Sequence, residues 1–202
     1  MATPDQSELF ETSSALPAGF LYREDFLSAA EESALLREIS ALPLQEASYK
    51  QWTARRRTIG YGGQYDFDRN ELRPADPVPS FLASLRLQVS DWTRIPAADF
   101  GHAIITEYRP GTQLGWHRDV PEFEAVVGVS LAGSARMRLR PYPPRKHQGR
   151  AAFFLDLQPR SAYSMRGDAR WKWQHAISPT RMLRYSITFR TLRQNPRGSA
   201  PG

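Results

Sequence analysis

Arg184-Tyr185-Ser186-Ile187-Thr188-Phe189-Arg190 alternates between two kinds of side chain. Successive side chains of a strand point to opposite faces. Tyr185, Ile187 and Phe189 therefore share an apolar face, which suits one layer of a β-sandwich. Arg184, Ser186, Thr188 and Arg190 share the other face and carry two cations and two hydroxyls into the space beside it. If that space is buried, the arginines need anions, because an unpaired buried charge is very costly. A dicarboxylate meets both demands through forked hydrogen bonds. The plain alternative is a solvated strand face of alternating charge.

Working outward, short strands separated by turn residues fill the chain from Phe100 onward. His102–Tyr108, Val126–Leu131, Arg136–Arg140, Ala151–Leu155, Ala162–Met165 and Leu183–Arg190 are the candidates. Pro110 with Gly111, Ala132 with Gly133, Pro143 with Pro144 and Arg166 with Gly167 supply turns. Upstream, Phe26 to Leu42 reads as a helix: Ser28 with Glu31 fits a capping box, and Leu35, Leu36, Ile39 and Leu42 line one face. A second helix follows Pro79, with Phe81, Leu85, Val89 and Trp92 at helical spacing. Two helices before many short strands predict a mainly β, α+β domain: a jelly-roll (double-stranded β-helix) core flanked by N-terminal helices. Residues 17–193 form that single domain, with a helical and recognition region at 17–99 and the core at 100–193. The acidic segment 1–16 and the Pro/Gly-rich segment 194–202 read as flexible tails.

The chain has 202 residues and no cysteine, which excludes disulfides, thiolate catalysis and cysteine-held metals. Its net charge of +6 is unevenly spread: nine acidic and two basic residues in 1–48 leave +13 for the remainder. A basic body favours polyanions such as nucleic acid, or is merely a soluble surface. No apolar run approaches the ~20 residues that span a bilayer, and the N-terminus lacks the pattern of a signal peptide. A cytoplasmic monomer without membrane contact is the expectation.

Only four histidines exist. His117 and Asp119 are two apart, so on a strand they face the same way and can share a cation. His175 is available as a distant third ligand. Two histidines and a carboxylate make the facial triad of non-haem Fe(II) oxygenases. His-x-Asp can also be a chance pair. His102 reads as an ordinary strand residue and His147 as part of an exposed loop.

Taken together, Glu107-Tyr108-Arg109-Pro110-Gly111, His117-x-Asp119, Trp173-Gln174-His175 and Arg184-x-Ser186-x-Thr188-x-Arg190 resemble the AlkB family of Fe(II)/2-oxoglutarate dioxygenases. The resemblance covers residues 100–193 and reaches back more weakly to Arg55. It implies that His117, Asp119 and His175 bind Fe(II). Arg184, helped by Tyr108, would take the far carboxylate of 2-oxoglutarate, and Arg190 the carboxylate nearer the metal. Thr106 stands where the family often has an amide that contacts the cosubstrate, and Ser186 where it usually has asparagine. With O₂ as oxidant, the implied reaction is oxidative demethylation of N-alkylated nucleobases in DNA or RNA, releasing formaldehyde, succinate and CO₂.

Substrate contacts are expected from the basic and aromatic stretch holding Arg55, Arg56, Arg57, Tyr61, Tyr65 and Phe67, punctuated by Gly60, Gly62 and Gly63. Aromatics there would stack on a flipped base, with arginines on phosphates. Glu122 could meet a cationic methylated base, although Pro121 stands where some relatives carry an aspartate. Arg136, Arg138 and Arg140 alternate on one strand face and line either a groove or a solvated edge. Trp116 should face away from the metal and into the core. Two rivals remain open: an oxygenase of the same fold acting on protein side chains or a small molecule, and a non-catalytic nucleic-acid-binding module.

Overall fold

The Ser28 hydroxyl accepts a hydrogen bond from the Glu31 amide while the Glu31 carboxylate accepts one from the Ser28 amide, so the first helix starts where the capping box predicts. The structure, a computed structural model, describes residues 16–49, 52–66, 71–144 and 153–193. Apart from Leu16, the expected tails lie outside the described residues, as do Phe67 and His147. In chain order the elements are β1 (Phe20–Arg23), α1 (Ala29–Ser40), β2 (Gln45–Tyr49), β3 (Trp52–Tyr61), β4 (Gln64–Asp66), β5 (Glu71–Arg73), α2 (Ala83–Thr93), β6 (His102–Tyr108), β7 (Leu114–His117), β8 (Phe123–Leu131), β9 (Ala135–Pro141), β10 (Phe153–Leu157), β11 (Ala162–Met165), α3 (Asp168–Trp171), β12 (Trp173–Ile177) and β13 (Arg184–Leu192).

Two antiparallel sheets face each other as in a jelly roll. The larger has the order β1-β11-β8-β13-β6-β3-β2, the smaller β10-β9-β12-β7, and β4 pairs with β5 as a separate ribbon. Alternation along each strand divides the core in two. Ile105, Val127, Val129, Leu131, Ile187 and Phe189 face outward onto Leu35 and Ile39 of α1 and Leu85 and Val89 of α2. Each such buried side chain contributes about 1.5–3 kcal/mol. The opposite face of the larger sheet looks across to Met137, Leu139 and Leu157 of the smaller one. This interior is where the polar residues of β13 and β6 gather.

The expectation over 184–190 holds in detail: Arg184, Ser186 and Thr188 are buried on the interior side, and Ile187 and Phe189 are buried on the helix side. Two glycines matter for the site. Gly62 has φ +77°, and a Cβ there would lie 1.7 Å from the Gly101 carbonyl oxygen, so only glycine can turn β3 into the β4–β5 ribbon. Gly128, mid-strand in β8, lies under the Tyr163 ring, where a Cβ would sit 2.3 Å from Cε1. No helix is long and apolar enough to cross a membrane among the described residues.

Candidate metal centre

His117 ends β7 and pairs across the ladder with His175 of β12. Leu114 pairs with Ile177, so three steps along β7 match two along β12, and the ladder slips between these pairs. This bulge lets Leu114 and His117 both face inward and turns Trp116 outward. The two imidazole centroids lie 4.1 Å apart. His117 Nδ1 donates to the Gly115 carbonyl at 2.9 Å, which leaves Nε2 free as a ligand atom.

Asp119 completes the cluster from a different place than strand alternation suggests. β7 stops at His117, so Asp119 belongs to the connection into β8. Arg170, only 2% exposed, holds that connection: its Nη2 donates to the carbonyls of Asp119 (3.0 Å), Val120 (2.7 Å) and Phe123 (2.9 Å). Arg190 Nε donates to Asp119 Oδ1 at 2.8 Å, while Oδ2 is buried without a hydrogen-bond partner and lies 3.8 Å from His175 Nε2. One ligand atom from each of His117, Asp119 and His175 lies within 4.8 Å of the others.

The electrostatics favour a cation at that point. Burial alone would raise the Asp119 carboxyl, but Arg190, backed by His175, His117 and Arg170, holds it well below the usual carboxylate range. Burial, with His117 beside it, pushes His175 down to about 3, and burial lowers His117 as well. The cluster is thus two neutral imidazoles and a carboxylate with an unmet oxygen, a donor set suited to Fe(II).

Beside it lies a cationic recess. Arg184 is 1% exposed; its Nε donates to Ser130 Oγ at 2.9 Å and its guanidinium lies 5.0 Å from the Tyr108 ring centroid. Nη1 of Arg184 and Nη1 of Arg190 are both buried without hydrogen-bond partners. Ser186 pairs with Thr106 on one side and Ser130 on the other, so three hydroxyl-bearing residues form a row across the recess floor. Tyr163 extends over Gly128; burial raises its hydroxyl pKa, with Asp119, Arg184, Tyr108 and Arg190 all close enough to act on it. Unpaired guanidinium edges at both ends of such a recess fit a dicarboxylate.

The substrate candidates separate. Arg55 lines a groove of about 360 Å³ with Gly111, Gln113 and Gly115, and Arg56 is close enough to depress His117. Burial, and after it the Glu122 carboxylate, raises the Tyr65 hydroxyl pKa, which puts the ribbon on the side of the metal loop. Arg57 instead faces the helix side, 3.4 Å from Glu107 and bonded to the Leu44 carbonyl. Tyr61 is buried in the helix-side core. Both occupy the alternate positions of β3 that face away from the interior, in line with Ile59, as the register of β3 with β6 dictates. Trp116 faces away from the metal as expected, but lies under Arg138 and Arg140 outside the core.

Sequence reasoning overlooked Arg170, Ser130 and Tyr163. Gly128 within an apolar strand was the available sign of a large neighbour. His102, 3% exposed, stacks on Phe123 with centroids 4.5 Å apart, and burial, then Arg190, pushes it down to about 3.

The chain matches the family model of the 2OG-Fe(II) oxygenase superfamily over residues 19–190. It is similar to uncharacterized protein L905 of Acanthamoeba polyphaga mimivirus, 28% identical over 194 residues that cover 86% of this chain and 85% of that protein. It is 27% identical to the tRNA (carboxymethyluridine(34)-5-O)-methyltransferase alkbh8 of Xenopus tropicalis, over 83% of this chain but 26% of that protein. It is 24% identical to the probable RNA/DNA demethylase ALKBH6 of Danio rerio, over 80% of this chain and 70% of that protein. Among solved structures, OsALKBH1 superposes with a TM-score of 0.64 at 16% identity, covering 88% of this chain and 100% of that one, a likeness of fold.

Proposed function

Because the chain belongs to the 2OG-Fe(II) oxygenase superfamily, as an AlkB-like dioxygenase using Fe(II), 2-oxoglutarate and O₂, we propose that it demethylates N-alkylated nucleobases in DNA or RNA. The observation that carries the site assignment is the unmet Asp119 oxygen between two neutral histidines, beside two guanidinium groups with unpaired edges.

In this reading His117, Asp119 and His175 hold Fe(II). Arg184 and the Tyr108 hydroxyl take the far carboxylate of 2-oxoglutarate, and Ser130 keeps the Arg184 guanidinium in orientation. Arg190 offers its free edge to the carboxylate nearer the metal while its Nε fixes Asp119. Thr106 and Ser186 supply hydroxyls to the floor. The bound metal, with 2-oxoglutarate and O₂, supplies oxidation of a substrate C–H bond as the cosubstrate becomes succinate and CO₂. The chain's own contribution is positioning and exclusion of water. In a hydroxylated N-methyl group the C–N bond then breaks, the carbon leaves as formaldehyde, and the hydroxyl proton passes to the nitrogen.

Nucleic acid as substrate is supported by the basic body and by the groove at Arg55. Gly111 and Gly115 lie in that groove, and a Cβ at either would meet nothing within 4 Å, so a backbone or base can approach closely. Arg56, Tyr65 and Glu122 lie near enough to the metal loop to take part. Oxygenation of a protein side chain or small molecule is the rival within the same family; a non-catalytic module gives way to the family membership. The test is anaerobic loading with Fe(II) and 2-oxoglutarate, then O₂ with methylated oligonucleotides and, separately, methylated peptides. Formaldehyde and succinate in equal amounts from oligonucleotides alone are expected. Release from peptides alone would overturn the substrate assignment.

A further inference from the structure

The smaller sheet carries a second organised cluster on the face turned away from the metal. Along β9, Met137 and Leu139 are fully buried, so Arg136, Arg138 and Arg140 point outward. Arg136 is neutralised by a two-bond pair with Asp156, at 2.7 and 2.9 Å. Arg138 and Arg140 are different. Their guanidinium carbons lie 5.0 and 4.3 Å from the Trp116 ring centroid. Among the described residues neither has a carboxylate partner, and the Arg140 Nε bond goes to the neutral Gln174 at 2.9 Å. Phe154, the cross-strand partner of Arg138, is 62% exposed on the same face. At the far side Arg118 stacks over Tyr142 at 3.6 Å.

Two like charges on one indole repel each other, and the cation–π attraction, about 0.5–1 kcal/mol each at exposed sites, offsets part of that. An incoming anion would offset the rest. The flat guanidinium groups and the open Phe154 ring offer more than charge. They are planes on which bases stack, and guanidinium edges take phosphates. An acidic peptide would use the charge and leave the planes idle. Bases must be unstacked from a partner strand to reach such planes, which selects single strands. The location also fits. β7 is the edge strand of its sheet, Gly115 on it and Gln113 just before it line the groove with Arg55, and Trp116 directly precedes His117.

We infer that the outer face of the smaller sheet, centred on Arg138 and Arg140 over Trp116 with Phe154 beside them, docks a single-stranded nucleic-acid segment flanking the nucleotide that enters the metal site. The inference rests on the nucleic-acid reading above. It gives β9 a role in grip, separate from the chemistry on its other side.

The test uses the full chain and fluorescently labelled, unmodified single-stranded DNA and RNA oligonucleotides, with binding read by anisotropy over a salt series. Arg138→Gln with Arg140→Gln should weaken binding about tenfold or more at low salt. It should also make the slope of log K against log salt shallower by about 1.4, two contacts at roughly 0.7 each. Phe154→Ala should weaken binding about tenfold through lost stacking while leaving the slope unchanged. Arg136→Gln, which removes an already paired charge, should change the slope little. Unchanged melting temperature and 2-oxoglutarate affinity by calorimetry show that each variant is folded. If the parent chain binds no oligonucleotide, the nucleic-acid reading itself fails and this inference with it. If the parent binds and the double variant keeps both affinity and slope, this surface alone is refuted. If the double variant loses only binding to a polyglutamate probe, the face belongs to an acidic protein and the inference is wrong.

Discussion

Arg184→Met separates a binding arginine from a structural one. The side chain is 1% exposed, its Nη1 has no partner, and its bonded neighbours are the uncharged Ser130 and Tyr108. A buried ion of this kind costs several kcal/mol of desolvation, against about 1.5–3 kcal/mol for a hydrogen bond to a charged group. Methionine fills similar space without the charge. The variant without ligand should therefore be more stable by about 1–4 kcal/mol, the range seen when buried charges are replaced by well-packed apolar groups. At roughly 2–4 °C per kcal/mol for a domain of this size, that is a rise of several degrees. In the parent chain, 2-oxoglutarate at 100 times its Kd should add about 2.7 kcal/mol, and this increment should vanish in the variant. Thermal and urea unfolding of metal-loaded, oxygen-free protein, with and without 2-oxoglutarate, measure both quantities. A variant that melts several degrees lower yet keeps its ligand-induced shift would show that Arg184 stabilises the fold and does not bind the diacid.

Asp119→Ala should abolish succinate formation and lower Fe(II) affinity at least tenfold in equilibrium dialysis, with the circular dichroism spectrum preserved. Arg170→Met removes a donor from three carbonyls around Asp119, of which Val120 keeps the Phe123 amide at 3.2 Å; at about 1–3 kcal/mol for each group left unsatisfied, a loss of a few kcal/mol in urea unfolding is expected, together with weaker metal binding. Gly128→Ala drives a methyl into the Tyr163 ring and should cost about 1–3 kcal/mol; adding Tyr163→Ala should recover part of it and Tyr163→Phe, which removes one of the three close contacts, less, a coupling that a double-mutant cycle reads directly. His102, held down to about 3, stays neutral in the folded chain where the unfolded chain gains a proton below pH 6.5. Its contribution is present above pH 6.5 and is lost as pH falls toward 3, by about 1.4 kcal/mol per unit. His102→Gln should flatten the stability of the metal-free protein between pH 6 and 4 by that slope, and an unchanged slope would exclude the residue.

The parts of this molecule that were legible in its sequence are those with a strict period or a fixed local chemistry. The two-residue alternation over 184–190 told which side of β13 faces the helices, because one slip would exchange Ile187 and Phe189 for arginines in the core. The Ser28 and Glu31 cap fixed the start of α1. The parts that were not legible depend on pairing partners far along the chain. β7 has four residues and a bulge, too short for alternation to be read, so Asp119 was expected on a strand it does not occupy. Tyr61 and Arg57 have the composition of a recognition surface, but β3 is in register with β6, and that register turns both toward the helices. Nothing local to residues 168–171 announces that Arg170 will thread back to three carbonyls some fifty residues earlier.

The division of the core explains how so polar a site survives. Asp119 Oδ2, Arg184 Nη1 and Arg190 Nη1 are buried without partners on the interior side. At about 1–3 kcal/mol per unsatisfied group, and more for charged ones, three of them consume a large share of the 5–15 kcal/mol that stabilises a typical domain. Met137, Leu139 and Leu157 of the interior offset part of this, although the polar side of β13 and β6 is the liability. The same strands do so from their other face: Ile105, Ile187 and Phe189 bury fully against α1 and α2. The helices are thus remote from the chemistry and still a condition for it. Weakening their packing, for instance at Ile39 or Val89, should first loosen the recess floor, so ligand affinity should fall before the fold is lost. In the proposed site metal and cosubstrate would meet the unmatched groups on binding, and their binding would then be coupled to the stability of this domain.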